Sequence, residues 1–463
     1  MFLVKDFEIR HLKKIKKDVW VIILLVTVST YTIFNLKHWN KEEGIIAWDV
    51  VSYYGYLPAT FIYDDVSLEN PNEKFEEFKH VFWMEKAKNG GKVFKTTMGM
   101  SVLYAPFFFA SHLYALNSEN EPGGYSKPYK FGIAMSGLFY LLLGFIFLRK
   151  VLQKYFSNKV AALTLLFIGL GTNLYYYTVI AVGMPHVYLF SLLSISIYCV
   201  MLWYEKPSLK LSVVLGLLFG LMVLIRPTML IIISFPLLYN IVSIKERLLF
   251  FKKQIVPLLI VVFCAFLIWV PQFIYWKTVT GDFLFYSYSE EGFFFNDPQI
   301  LNALFSFRKG WLLYTPLMAF ALVGFALTLA KKDKNILSLL VPVTLYFYVA
   351  SCWWDWWFGG SYGYRTMIDV MPFLAVGLAF VIQKVFELTK AYKTIVLTFM
   401  FCFLGLSLFQ TRQAHEGLIH HDSMTKEAYF KILFKLQDQI SREEVKPYLK
   451  TPDYDAAKKG NRD

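Results

Sequence analysis

The sequence predicts an all-α integral membrane protein with about eleven transmembrane helices and interfacial helices in its first outer loop. Three observations carry that prediction. Hydrophobic residues make up 56% of the 463 positions and charged residues only 17%, which is too apolar for a water-soluble chain of this length. Apolar runs of roughly 17 to 25 residues, the length of a helix crossing a bilayer core, alternate with short polar segments. The excess of Lys and Arg falls in every second segment, the pattern that sets membrane orientation. The net charge of +13 is absorbed by those segments, so the composition excludes a nucleic-acid-binding role.

The runs begin near Val19, Phe131, Val160, Val187, Leu211, Met229, Ile255, Trp311, Ile336, Met367 and Thr394. The first follows Lys13, Lys14, Lys16 and Lys17 without a small-residue cleavage site, and is expected to be a retained helix. With the N-terminus inside, the inner segments become 149–159, 205–210, 245–253, 331–334 and 384–393, each richer in Lys and Arg than in Asp and Glu. Segment 149–159 has four basic residues and no acid. Residues 1–410 then form one polytopic domain with an outer loop at 35–130, and 411–463 form a polar tail, also outside, with an amphipathic segment from Ala428 to Ile440. Counting Met100 to Leu116 as a span would reverse the bias of every later loop, so that run is expected to lie in the outer interface, a true span being the alternative. Cys199, Cys264, Cys352 and Cys402 lack metal or disulfide spacing and read as small hydrophobes.

Chemistry-bearing residues gather in the outer segments. If residues 47–58 form a helix, Val50, Tyr53, Tyr54 and Leu57 share an apolar stripe that lies on the membrane, with Asp49, Ser52 and Tyr56 along its edge. Asp49 is either solvated surface or a proton acceptor at the water boundary. Lys95, Arg226 and Arg365 stand at outer helix ends beside Thr96-Thr97, Pro227 and the run Gly359-Gly360-Ser361-Tyr362-Gly363-Tyr364. Two readings are open for each cation: snorkelling to headgroups, or holding a phosphate. Trp353-Trp354-Asp355-Trp356-Trp357 is either an aromatic belt or, with Ser361 and Tyr362, a sugar-binding wall. His186, after Met184-Pro185, is either a polar lining residue or a ligand contact. No phosphate-cradling glycine loop leads into a helix, so nucleotide binding inside is not indicated.

The order of these motifs resembles the GT-C class of membrane glycosyltransferases, bacterial type, which includes the protein O-mannosyltransferases and the lipid A aminoarabinose transferase. The resemblance covers roughly residues 19 to 410. It runs from the Asp49 segment and the Lys95 turn through Arg226-Pro227, Pro271-Gln272 with Trp276 and Gly281, and Gly310 with Tyr314 and Pro316, to the Trp354-to-Arg365 stretch. It implies a polyprenyl-phosphate sugar donor, a lipid, glycan or protein acceptor, transfer outside the membrane and inversion at the anomeric carbon. Asp49 matches the family's catalytic acid. Lys95, Arg226 and Arg365 would hold the donor phosphate, and His186, Trp354, Asp355, Ser361 and Tyr362 would contact substrate. Two departures stand out: Thr96-Thr97 follows Lys95 where relatives often carry Pro-Pro, and Asp64-Asp65 lie some way from Asp49 where many relatives pair acids beside the catalytic one. No metal ligand is therefore assigned and a divalent metal stays open. The expected location is a bacterial inner membrane, among membrane lipids, with the active site facing the periplasm. A transporter or flippase of lipid-linked sugars would instead place polar residues at mid-membrane, and a noncatalytic subunit of a glycan assembly would dispense with the Asp49 carboxylate.

Overall fold

The computed structural model describes residues 16–41, 44–68, 84–331, 333 and 335–462. The basic residues Lys13 and Lys14, and Lys334 of the fourth inner segment, lie outside the described residues. The described residues are all-α apart from one two-stranded antiparallel ribbon, Met84–Lys86 with Lys92–Phe94. Among the described residues six helices are long and apolar enough to cross a membrane: α1 (Lys17–Leu36, continued to Asn40), α4 (Gly99–Leu116), α5 (Lys127–Gln153), α8 (Pro185–Glu205), α12 (Ile255–Thr280) and α18 (Lys390–His415). Shorter apolar helices are α6 (Asn158–Leu170), α9 (Leu209–Ile225), α15 (Met318–Ala330) and α16 (Ile336–Cys352). Between them lie α2 (Asp49–Tyr54), α3 (Tyr56–Phe61), α7 (Leu174–Val179), α10 (Ser234–Leu238), α11 (Ile244–Lys253), α13 (Ile300–Phe305) and α14 (Trp311–Tyr314). After α16 come α17 (Met371–Glu387) and the tail helices α19 (Lys426–Ile432), α20 (Arg442–Val445) and α21 (Tyr454–Lys458).

Local chemistry sets the element ends. Ser157 and Ser208 cap α6 and α9 by accepting from Val160 N and Leu211 N. Proline opens α5, α8 and α17, where its missing N–H costs nothing. Proline also shortens two expected runs. The one beginning near Met229 is a 3-10 stretch, Pro227–Ile233, followed by five residues of α10, and the one beginning near Trp311 breaks at Pro316 between α14 and α15. α15 and α17 approach closely because Gly324 faces Gly377: a Cβ on Gly324 would lie 2.0 Å from the Gly377 carbonyl oxygen. Large apolar side chains stay exposed along α12, Val262 at 66% among them, as a lipid-facing helix requires.

The helix ends sort into two sets. At one end Arg149 Nε and Gln153 Nε2 of α5 donate to Asp18 of α1 at 2.8 and 2.5 Å, and Lys154 meets Glu205 of α8 at 2.7 Å. Asn240 N, after α10, donates to Asn335 before α16 at 2.7 Å. At the opposite end the rings of His38 and His415 are 5.9 Å apart, joining the far ends of α1 and α18, and the start of α8 meets the loop before α17. Both ends of α4 belong to this second set. Met98 N, at its start, donates to Gln272 Oε1 at 2.8 Å, and His112 Nδ1, in its last turn, lies 2.5 Å from Tyr129 OH at the start of α5.

Two sequence expectations are corrected here. Residues 47–58 are not one helix lying on a surface. They break at Gly55, where a Cβ would sit 2.5 Å from the Phe94 ring, and Ser52, Tyr53, Tyr54 and Tyr56 are buried in protein. The amphipathic segment expected from Ala428 to Ile440 is helical only as far as Ile432, where α19 ends, and the tail packs over the second end of the bundle.

Candidate active site

A cavity of about 1320 Å³ opens among the second set of helix ends. Asp49, Lys95, Arg226, Trp354, Asp355, Ser361 and Arg365 line it together although they lie up to 316 residues apart in the chain. Asp49 is the first residue of α2. Trp48 before it takes φ 51°, a conformation few side chains adopt, and the chain turns there. Arg365 Nη2 donates to Asp49 Oδ2 at 3.2 Å, with 12% of the arginine side chain and 33% of the carboxylate side chain exposed. Lys95, one residue beyond the ribbon, pairs with Glu291 at 2.5 Å, and its carbonyl accepts from Ser287 at 2.5 Å, so the 281–295 loop fixes it.

Arg226 leaves the end of α9 and donates to Asp369 Oδ2 at 3.2 Å. Asp369 is fully buried and also takes hydrogen bonds from Tyr346 OH and His186 Nδ1, each at 2.7 Å. His186 is therefore behind the wall rather than on it; its ring packs edge-on against Tyr177, and it is absent from the cavity lining. Tyr362 is likewise buried, packed against Tyr176 and Tyr314 and away from the cavity. The Asp369 carboxylate holds His186 in the core, and the Tyr176 and Tyr314 rings hold Tyr362 there. Trp356 and Trp357 are fully buried too, which rules out a lipid-facing belt for that part of the run.

The tail supplies the remaining wall through His421, Asp422, Tyr454 and Lys458. Lys309 holds it there: its ammonium donates to the carbonyls of Ser361 and His421, bridging the glycine-rich loop to the tail. Tyr454 OH donates to Asp422 at 2.8 Å and its ring packs on Trp354 and Trp357. Burial pushes the Asp355 carboxyl up to about 7 against the pull of the Gly359 amide, Arg365 and Lys309. Burial, reinforced by the Arg365 charge, brings Lys309 down to about 7.

Among the described residues His420, His421 and Asp422 form a group whose donor atoms lie within 4.8 Å of one another. His420 Nδ1 and Asp422 Oδ1 are 3.2 Å apart, an ion-pair distance, and Asp422 is further engaged by Ser423 and Tyr454. Asp64 and Asp65 are outside the cavity lining.

Asp369, Glu291, Tyr346 and Lys309 were missed from the sequence. For Asp369 a signal existed: it is a carboxylate inside the apolar run that begins near Met367, and such a residue needs a buried partner. Glu291 and Lys309 sit in loops whose charges look like ordinary surface, and only the fold shows what they tie together.

No protein-family model matches the chain, and no curated protein matches it. Among solved structures, the apo-form crystal structure of the Archaeoglobus fulgidus oligosaccharyltransferase superposes with 12% identity and a TM-score of 0.49. The match covers 92% of this chain and 59% of that one, so the chain spans less than two thirds of the length of that protein.

Proposed function

We propose that this protein is an inverting glycosyltransferase of the GT-C type, which moves a sugar from a polyprenyl-phosphate donor to a lipid, glycan or protein acceptor. The observation that carries the reading is the convergence of Asp49, Arg226 and Arg365 on one cavity whose lining also includes the apolar residues Ile180, Ala181, Val182, Ile225 and Pro227. Guanidinium groups complement phosphate oxygens, and an apolar flank suits a prenyl chain.

The acceptor hydroxyl attacks the anomeric carbon, Asp49 takes its proton, and the carbon–oxygen bond to phosphate breaks with the electron pair leaving on phosphate. Arg226 and Arg365 stabilise that developing charge. Asp369 and His186 position Arg226, and Lys95 acts through the loop held by Glu291. Asp49 and the phosphate share Arg365, so a donor phosphate at that guanidinium draws it from the carboxylate and leaves Asp49 open to the acceptor. Trp354, Asp355 and Ser361, with the tail, meet the sugar. In this reading the cavity end of the bundle faces the periplasm from a bacterial inner membrane; the two sets of helix ends and the basic bias of alternate loops support its outward orientation. The reading is tested with purified protein and a polyprenyl-phosphate sugar: Arg226→Gln and Arg365→Gln should each weaken donor binding, and unchanged affinity in both would move the phosphate site elsewhere.

A further inference from the structure

At the end of the bundle away from the cavity, α11 (Ile244–Lys253) joins α10 to α12, and none of its ten residues is buried. Ser243 caps it by accepting from Glu246 N, so it is a formed helix rather than a frayed linker. Ile244, Leu248 and Phe251, at i, i+4 and i+7, fall on one stripe. Ile244 and Leu248 are 74% and 63% exposed, and Val242 just before them is 72% exposed. That stripe leads into the exposed side chains Ile255, Val256 and Leu259 at the start of α12. Lys245 and Lys252 lie along one side of it, and Lys253 ends the helix; all three are exposed, and among the described residues none pairs with a carboxylate. Arg247 behaves differently. It lies over the Tyr204 ring at 4.7 Å and donates to the Tyr239 carbonyl, which anchors the back of α11 to the bundle. Three other lysines of this end are engaged: Lys154 with Glu205, Lys150 over the Phe147 ring and Lys159 over the Phe386 ring.

We propose that α11 is an interfacial helix that binds anionic phospholipid headgroups through Lys245, Lys252 and Lys253 while Ile244, Leu248 and Phe251 enter the acyl region. A water-exposed stripe of this kind is unfavourable, a bilayer interface covers it, and the unpaired ammonium groups select an anionic surface over a zwitterionic one. Each lysine meeting such a surface raises association about fivefold. The proposal rests on membrane residence alone and is independent of the glycosyltransferase reading.

The test uses the purified full chain in detergent, titrated with phosphatidylglycerol or phosphatidylcholine, with bound lipids counted by native mass spectrometry. Wild type should prefer phosphatidylglycerol. The triple variant Lys245→Gln, Lys252→Gln, Lys253→Gln should lose that preference by tenfold or more, and the control Lys150→Gln, Lys154→Gln, Lys159→Gln should keep it. Leu248→Gln should lower binding of both lipids. A wild type without preference, or a triple variant that retains it, overturns the proposal.

Discussion

The two ends of the bundle each hold an arginine–aspartate pair, and the pairs differ in what surrounds them. At the closed end Asp18 is fully buried and accepts from Arg149 Nε, Gln153 Nε2 and Val19 N, so its oxygens are saturated by protein. At the open end Asp49 accepts from Arg365, keeps a third of its side chain exposed and faces a cavity of about 1320 Å³. A saturated carboxylate can only hold helices together. One with free lone pairs beside a cavity has capacity left for a ligand or a proton. The same contrast recurs within the open end, where Asp369 is saturated by three donors and secures Arg226 from behind.

The largest expected difference between the ends is all-or-none. Single cysteines at Ser67 and Ser157, treated with an impermeant thiol reagent on spheroplasts, should label only at Ser67; labelling at Ser157 would overturn the orientation. Next comes rate. Asp49→Asn should lower turnover about a hundred- to ten-thousand-fold, the usual cost of losing a general base, while the protein stays folded. The amide should bind a bare polyprenyl monophosphate at least as tightly as wild type, since the competitor for Arg365 has lost its charge. Asp18→Asn should behave in the opposite way: a thermal-unfolding scan should show a loss on the order of 3 kcal/mol, because Arg149 keeps a charge without its buried partner. A catalytic loss in Asp18→Asn with unchanged stability would dissolve the comparison.

Smaller effects sharpen it. Arg365→Lys keeps the charge but loses the planar fork, and should weaken donor binding by roughly tenfold. Asp355 gives a pH signature. Its folded pKa of about 7 lies above the ordinary carboxylate value near 4, so the folded state retains a proton that the unfolded state has lost between those values. The Asp355 contribution to stability should therefore fall as pH rises from about 4 to about 7 and level off above. Asp355→Asn should remove that slope, and identical Tm–pH profiles for wild type and variant would contradict the assignment.

Much of this was legible in the sequence because lipid imposes simple rules on it. Apolar run length marked the long helices, and proline explains why the Met229 and Trp311 runs fall short. Lys95, Arg226 and Arg365 were visible because cations beside apolar runs are costly, and Asp49 through its place in the 47–58 segment and the family resemblance. His186 and Tyr362 were legible as unusual residues but not as buried ones, since their orientation depends on Asp369 and on the packing of Tyr176 and Tyr314. The tail was the least legible region. Its share of the cavity comes from Lys309, Asp422 and Tyr454 meeting across more than 100 residues of chain, and no local pattern encodes such contacts.

The most direct test of the central claim is the level of polyprenyl-phosphate sugars in cells that lack this protein, complemented with either wild type or Asp49→Asn. A polyprenyl-phosphate sugar should accumulate without the protein, fall to its normal level with wild type and stay high with Asp49→Asn present at wild-type abundance. Unchanged lipid-linked sugars in the deletion, or full clearance by Asp49→Asn, would contradict the account.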